Sequence, residues 1–126
     1  MKRLKIGSHD IGDGRPCFIV AELGVNHDGN AGKAAKMIEA AAKCGADAIK
    51  LQRRHIPSIL IREALDAPYI NERSFGPTYE AHRLALELLA ETWRPLKKLA
   101  DKLGLAFFAT PYDILSAECL SDLGVP

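Results

Sequence analysis

Three short apolar runs, each followed by a helical pattern, constrain this chain more than anything else in it. They are Phe18–Val25, Ala48–Gln52 and Ala106–Tyr112. Their apolar residues are near-continuous rather than cleanly alternating. Strands buried on both faces look like this, and parallel sheets are built of such strands. After the first run, Asn30 can cap a helix whose apolar stripe is Ala34, Met37, Ile38, Ala41 and Ala42, with Gly45 as its stop. A second helical stretch runs from about Tyr79 to Leu103 and stops at Gly104. Pro95 interrupts it, because proline has no N–H for a helix interior. The pattern therefore predicts a short helix up to about Leu89 and a main helix starting near Glu91 or Thr92, with Pro95 in its first turn. A third helix follows Asp113, carries Leu115, Cys119, Leu120 and Leu123, and stops at Gly124.

The order strand, helix, strand, helix, strand, helix is α/β, and repeated βα units give either a doubly wound sheet or a (β/α)8 barrel. A barrel takes eight strands and typically ~250 residues, whereas this sequence has 126. Three parallel strands leave two open edges and one uncovered face. The expectation is one partial domain over residues 1–126, the N-terminal portion (about three βα units) of a TIM-type barrel. Val125-Pro126 would be the approach to a fourth strand. A fragment or truncated gene product fits this, and so does a chain that covers its edges by association.

Lys and Arg number 17 and Asp and Glu 16, a formal net charge of +1. That balance gives no electrostatic case for nucleic acid or an anionic membrane as partner. The N-terminus is basic but lacks the apolar run of a signal peptide, and no segment approaches the ~20 apolar residues of a membrane span. Cys17, Cys44 and Cys119 are an odd, widely spaced set. They are expected to be reduced thiols in a cytoplasmic protein, with Cys44 and Cys119 buried on helices, rather than a disulfide or zinc site.

Strand side chains alternate faces with period two. One set of faces carries Ile19, Ala21, Leu23, Ile49 and Leu51 and is apolar enough to take packed helices. The opposite faces place Glu22, Lys50, Gln52 and Thr110 together, each near the C-terminal end of its strand. Active sites of βα barrels lie at that end. A buried charge is expensive alone, so Glu22 and Lys50 need each other or a ligand. A purely structural ion pair satisfies the same rule. The Thr110 hydroxyl before Pro111 can serve a ligand or a local backbone group.

The turn Gly24–Asn30 is polar and glycine-bearing, and its N–H groups together with a helix N-terminus could hold an anion. His27 within it is a candidate metal ligand or acid–base group, or simply a hydrogen-bonded turn residue. The long connection from Arg53 to about Thr78 is of the length that is usually functional. Its far end offers Tyr79, His82 and Arg83 as a lid over a phosphorylated or sugar substrate. Alternatively Phe75 and Tyr79 pack over the barrel mouth.

Several motifs in order resemble the sialic acid synthase family. Ala21-Glu-Leu-Gly-Val-Asn-His-Asp-Gly29 resembles AE(I/L)G-x-NH-x-G, and Gly45-Ala-Asp-Ala-Ile-Lys-Leu-Gln52 resembles GADA-x-K-x-Q. Ser74–Tyr79 with His82 and Arg83 looks like the family's linker into the second helix. Ala109–Asp113 and Leu123–Pro126 resemble the third unit and the entry to a fourth. The likeness covers about residues 15 to 126. Two places depart from it: the usual TYGEH reads Thr78-Tyr-Glu-Ala-His82, and a helix-capping Ser is Leu89.

The resemblance implies condensation of phosphoenolpyruvate with N-acetylmannosamine or a related N-acylated amino sugar, with release of phosphate. Glu22 would be the essential carboxylate near the reacting carbons. Lys50 would bind the phosphoenolpyruvate anion, Thr110 would hydrogen-bond it, and Gln52 would face the sugar. Tyr79, His82 and Arg83 would be substrate-binding residues. The resemblance also implies a divalent metal, Mn or Mg, whose ligands lie outside this chain, along with a homo-oligomer. A C-terminal antifreeze-like domain would likewise be missing. On that basis the 126-residue polypeptide is expected to be inactive alone. Two other classes compete: a non-catalytic truncated half-barrel that self-associates or pairs with a full-length synthase, and another anion-binding barrel enzyme such as an aldolase.

Overall fold

The computed structural model describes residues 3–126. Two elements precede the first predicted strand. β1 (Leu4–Ile6) and β2 (His9–Ile11) form a small antiparallel hairpin turned by Gly7 at φ +57°. Three-residue strands carry too little pattern to be read from sequence.

The three apolar runs are strands. β3 (Val20–Gly24), β4 (Ala48–Arg53) and β5 (Ala106–Pro111) make one parallel sheet in the order β3-β4-β5. Helix α1 (Ala31–Lys43) crosses from β3 to β4. It starts at the Asn30 side chain, which accepts from the Lys33 N–H at 2.8 Å. The connection after β4 is folded rather than irregular. It contains two single-turn helices, α2 (Ile56–Ile59) and α3 (Arg62–Leu65), and then α4 (Tyr79–Leu86). Arg62 ties the segment together by bonding both Asp66 and Glu80.

Helix α5 (Ala90–Lys102) follows, so the break expected around Leu89 is present. The helix begins earlier than predicted, however, and Pro95 lies beyond its first turn. The Thr92 hydroxyl donates to the Leu89 carbonyl at 2.7 Å and holds the extra residues in place. Pro95 leaves one interior bond unmade there. Leu89, lacking a polar side chain, caps nothing. Helix α6 (Ile114–Leu123) is capped by Asp113 and ends at Gly124 with φ +70°.

Among the described residues, helices cover one face of the sheet only. Leu23, Ile49, Leu51 and Phe107 are buried there against Ala34, Ile38 and Ala41 of α1, Trp93, Leu96 and Ala100 of α5, and Leu120 of α6. Each large side chain buried this way contributes about 1.5–3 kcal/mol. Trp93 meets Phe107 edge-on at 6.2 Å, a geometry worth about 0.5–1.5 kcal/mol beyond the area it buries. Two expectations of burial are not met. Ile19 is half exposed, because it sits ahead of β3 and is held there by its main chain: Asp47 accepts its N–H at 2.7 Å. All three cysteines are free but exposed; Cys44 caps α1 instead of facing the core.

The opposite face carries Glu22, Lys50, Gln52, Phe108 and Thr110 and, among the described residues, has no helix packed over it. Its C-terminal rim is shaped by close backbone packing. Gly29 has φ +69°, and a Cβ there would lie 2.3 Å from the Ala85 carbonyl oxygen at the end of α4. The chain can therefore lay α4 against the β3–α1 turn only with glycine at this position.

Two predictions follow from this scaffold. Gly29→Ala combines a left-handed backbone with a backbone collision and should cost about 3 kcal/mol. A denaturant melt would show it as a lower midpoint at unchanged slope. Asp113 accepts from the His55 N–H at 2.7 Å and from the Ser116 N–H and hydroxyl, both at 2.8 Å. Burial pushes its carboxyl up, but these hydrogen bonds and the nearby His55 outweigh it and leave the pKa below the ordinary value. Its contribution to stability is therefore complete above the unfolded carboxylate pKa and is lost as pH falls through the lower folded one. Thermal melts across acid pH should show Asp113→Asn less stable near neutrality, with the gap to the parent closing as pH falls.

Candidate functional site

Parallel pairing sets Glu22 beside Lys50, and Gln52 beside Thr110. All four side chains stand on the uncovered face at the C-terminal end of the sheet, as the alternation predicts. Lys50 Nζ is ion-paired with Glu22 Oε2 and donates to Thr110 Oγ1 at 3.2 Å. Glu22 Oε1 accepts from the Gly24 N–H at 3.0 Å, across an irregularity in the β3–β4 register. The carboxylate is thus fixed at both oxygens, and the ammonium spans β3 to β5.

These charges are not buried as the sequence suggested. The Lys50 side chain is 29% exposed and that of Glu22 is 47% exposed. An ion pair this wet contributes at most about 1 kcal/mol to stability. Fold stability therefore gives no strong reason for it. An ammonium has three N–H donors, and two of them are used here by Glu22 and Thr110. An anion could take the third or displace Glu22.

Gly24 keeps the centre of this face open. A Cβ at Gly24, whose φ is +56°, would sit 3.7 Å from both Gln52 Nε2 and Glu22 Oε1, and 3.9 Å from Asn26 Nδ2. Those three polar atoms surround one small space. The face is a surface rather than an enclosed cavity. A half-open hollow of about 170 Å³ lies elsewhere, lined by Arg53, Trp93 and Cys119.

Arg54 and Glu87 also join this face, although neither was among the residues that the strand alternation singled out. Arg54 follows Lys50 and Gln52 at the same period of two, so extending the alternation past the strand end would have found it. Its guanidinium donates to Gln52 Oε1 and, at 3.2 Å, to Glu87 Oε1. It also lies over the Tyr112 ring at 4.4 Å. Glu87 sits between α4 and α5, 33 residues away, and no local signal marks it. Burial pushes its carboxyl above the usual range, while Arg54 and Arg53 pull it back.

His27 is fully buried, and its Nδ1 accepts from the Gly29 N–H at 3.1 Å. Burial holds its pKa below the ordinary histidine value, against the raising pull of Asp28 and the Gly24 carbonyl. A neutral ring that braces the turn fits the hydrogen-bonded alternative. The helix N-terminus next to it is already capped by Asn30.

Tyr79, His82 and Arg83 form a cluster of their own. His82 is buried, and its Nδ1 accepts from the Phe75 N–H at 3.1 Å. Its ring lies 4.4 Å from that of Tyr69 and 5.8 Å from that of Phe75. Arg83 donates from Nε to the Tyr79 hydroxyl at 2.8 Å. The cluster clamps the long connection onto α4. Among the described residues, no hydrogen bond or ion pair joins it to Glu22, Lys50, Gln52 or Thr110.

Known proteins share this arrangement of sequence and fold. The NeuB family matches residues 37–126. The human N-acetylneuraminate-9-phosphate synthase is 39% identical over 116 residues, covering 92% of this chain and 32% of that protein. The N,N'-diacetyllegionaminic acid synthase of Legionella pneumophila is 37% identical over 116 residues, 90% of this chain and 32% of that protein. The crystal structure of a sialic acid synthetase from Leptospira borgpetersenii superposes with a TM-score of 0.74 at 33% identity, over 98% of this chain and 39% of that one. This chain spans about a third of the length of the curated relatives it matches. With the match running over most of its residues and through β4, β5 and the helices between them, the chain belongs to the NeuB family of sialic acid synthases.

Proposed function

We propose that these residues are the first three βα units of a (β/α)8 barrel and one side of its active site, which condenses phosphoenolpyruvate with N-acetylmannosamine or a related N-acylated amino sugar. The single observation that carries this is the Lys50 ammonium, held between Glu22 and Thr110 on an uncovered face at the strand ends. Ligands in this architecture bind at that end of the strands.

Phosphoenolpyruvate brings a carboxylate and a phosphate. Lys50 offsets their charge as they leave water, and Thr110 adds a hydroxyl donor. Gln52 faces the sugar. The C2–C3 electron pair of phosphoenolpyruvate attacks the sugar aldehyde carbon and forms the new C–C bond, and the aldehyde oxygen takes up a proton. Water then adds at C2. Glu22 accepts one proton of this water, the bond between C2 and the bridging phosphate oxygen breaks, and the remaining C2 hydroxyl proton passes to the departing phosphate, leaving a 2-keto acid and inorganic phosphate. A fixed carboxylate acting as base in this way contributes typically 10²–10⁴-fold.

The family resemblance implies a divalent ion as well. No three His, Cys, Asp or Glu side chains converge among the described residues. Glu22, the carboxylate at the site, is already taken by Lys50 and the Gly24 N–H. These residues do not make a metal site, and no step above runs through one.

Steady-state phosphate release tests the assignment in the active protein. Removing a charged hydrogen-bond partner costs about 1.5–3 kcal/mol, so Lys50→Ala should raise KM for phosphoenolpyruvate roughly 10- to 100-fold. Glu22→Gln should remove turnover and leave phosphoenolpyruvate binding within a few-fold of the parent. Parental kinetics in either variant would reject the role given to that residue.

A further inference from the structure

We infer that Arg54 is a positioning residue that fixes which end of the Gln52 amide meets the sugar; this rests on the reading that Gln52 faces that substrate. An asparagine or glutamine amide can present either its oxygen or its nitrogen to a ligand, and the two choices recognise opposite chemistry. Arginine has five N–H donors and no acceptor. The atom of Gln52 that meets Arg54 must therefore be Oε1. That leaves Nε2 on the other side, where it lies beside the open space at Gly24 with Glu22 Oε1 and Asn26 Nδ2. Gln52 accordingly offers donors to the site. The sugar group it suits is an acceptor, such as an N-acyl carbonyl or the lone pairs of a hydroxyl.

Arg54 can hold that orientation because it is itself fixed on three sides. Its backbone N–H donates to Glu87 Oε2 and its Nη1 to Glu87 Oε1, both at 3.2 Å. Its guanidinium stacks over Tyr112 just beyond β5. The Arg54 side chain is 8% exposed and that of Glu87 13%. Lysine could not reproduce this, because one ammonium lacks the planar fork that reaches Glu87 and Gln52 together. Glu87, which follows α4, thereby acts on sugar recognition through Arg54.

A double-mutant cycle on the active protein tests this, reading KM for the sugar, KM for phosphoenolpyruvate and kcat. The variants are Gln52→Ala, Arg54→Met and the pair combined. Arg54→Met leaves Glu87 buried without its partner. Arg54→Met/Glu87→Gln, which removes both charges, is therefore measured alongside and replaces it if it does not fold. Gln52→Ala should raise sugar KM about tenfold, the loss of one good hydrogen bond. The Arg54 variant should raise sugar KM several-fold and leave phosphoenolpyruvate KM within about twofold of the parent. The combined variant should be no worse than Gln52→Ala, since Arg54 acts through Gln52. Parental sugar KM in the Arg54 variant, while Gln52→Ala raises it, would overturn the positioning role alone. Additive effects, or equal rises in both KM values, would do the same and mark Arg54 as merely structural. Parental sugar KM in Gln52→Ala would instead remove the sugar role of Gln52, and the inference with it.

Discussion

Lys50 presents its ammonium on the one face of the sheet that, among the described residues, no helix covers, and the rest of the candidate site is arranged around it. Its neighbour in register supplies a carboxylate, and the next strand supplies a hydroxyl. The sheet brings these groups together from positions 22, 50 and 110, so the site depends on parallel pairing rather than on any local motif. The same alternation sends Leu23, Ile49, Leu51 and Phe107 to the other face, where α1 and α5 bury them. A one-residue slip of β4 would exchange the two faces. The hydrophobic core and the polar site are thus fixed by a single register.

Because of this coupling, much of the site was legible in the sequence. Period two in three short runs was enough to place Glu22, Lys50, Gln52 and Thr110 on one face. The Asn30 cap was equally readable, since its side chain acts on an N–H three residues away. What the sequence hid depended on distance or on the absence of cover. Glu87 reaches Arg54 across the chain from a helix junction. Nor do period and composition show that His82 Nδ1 receives the Phe75 N–H. The exposure of Cys44 and Ile19 has a related cause. Both lie just outside regular elements, where local apolar surroundings are a poor guide to packing.

The long connection after β4 contributes more order than its composition suggested. Its two helical turns, the Arg62 ion pairs and the Tyr69–His82 stack make it a folded insert. The insert leads into α4, whose C-terminal end meets the Gly29 turn on one side, and the following residue, Glu87, engages Arg54. Rigid support of this kind matters because catalytic groups must be held within about 0.5 Å of their working geometry.

The proposed function turns on the Lys50–Thr110 pair receiving the anion. A crystal structure of the protein with phosphoenolpyruvate bound tests it most directly. The account predicts a carboxylate or phosphate oxygen within hydrogen-bond distance of both Lys50 Nζ and Thr110 Oγ1, with Glu22 beside C2. An anion seated elsewhere, with the Lys50–Glu22 pair unchanged, would contradict it.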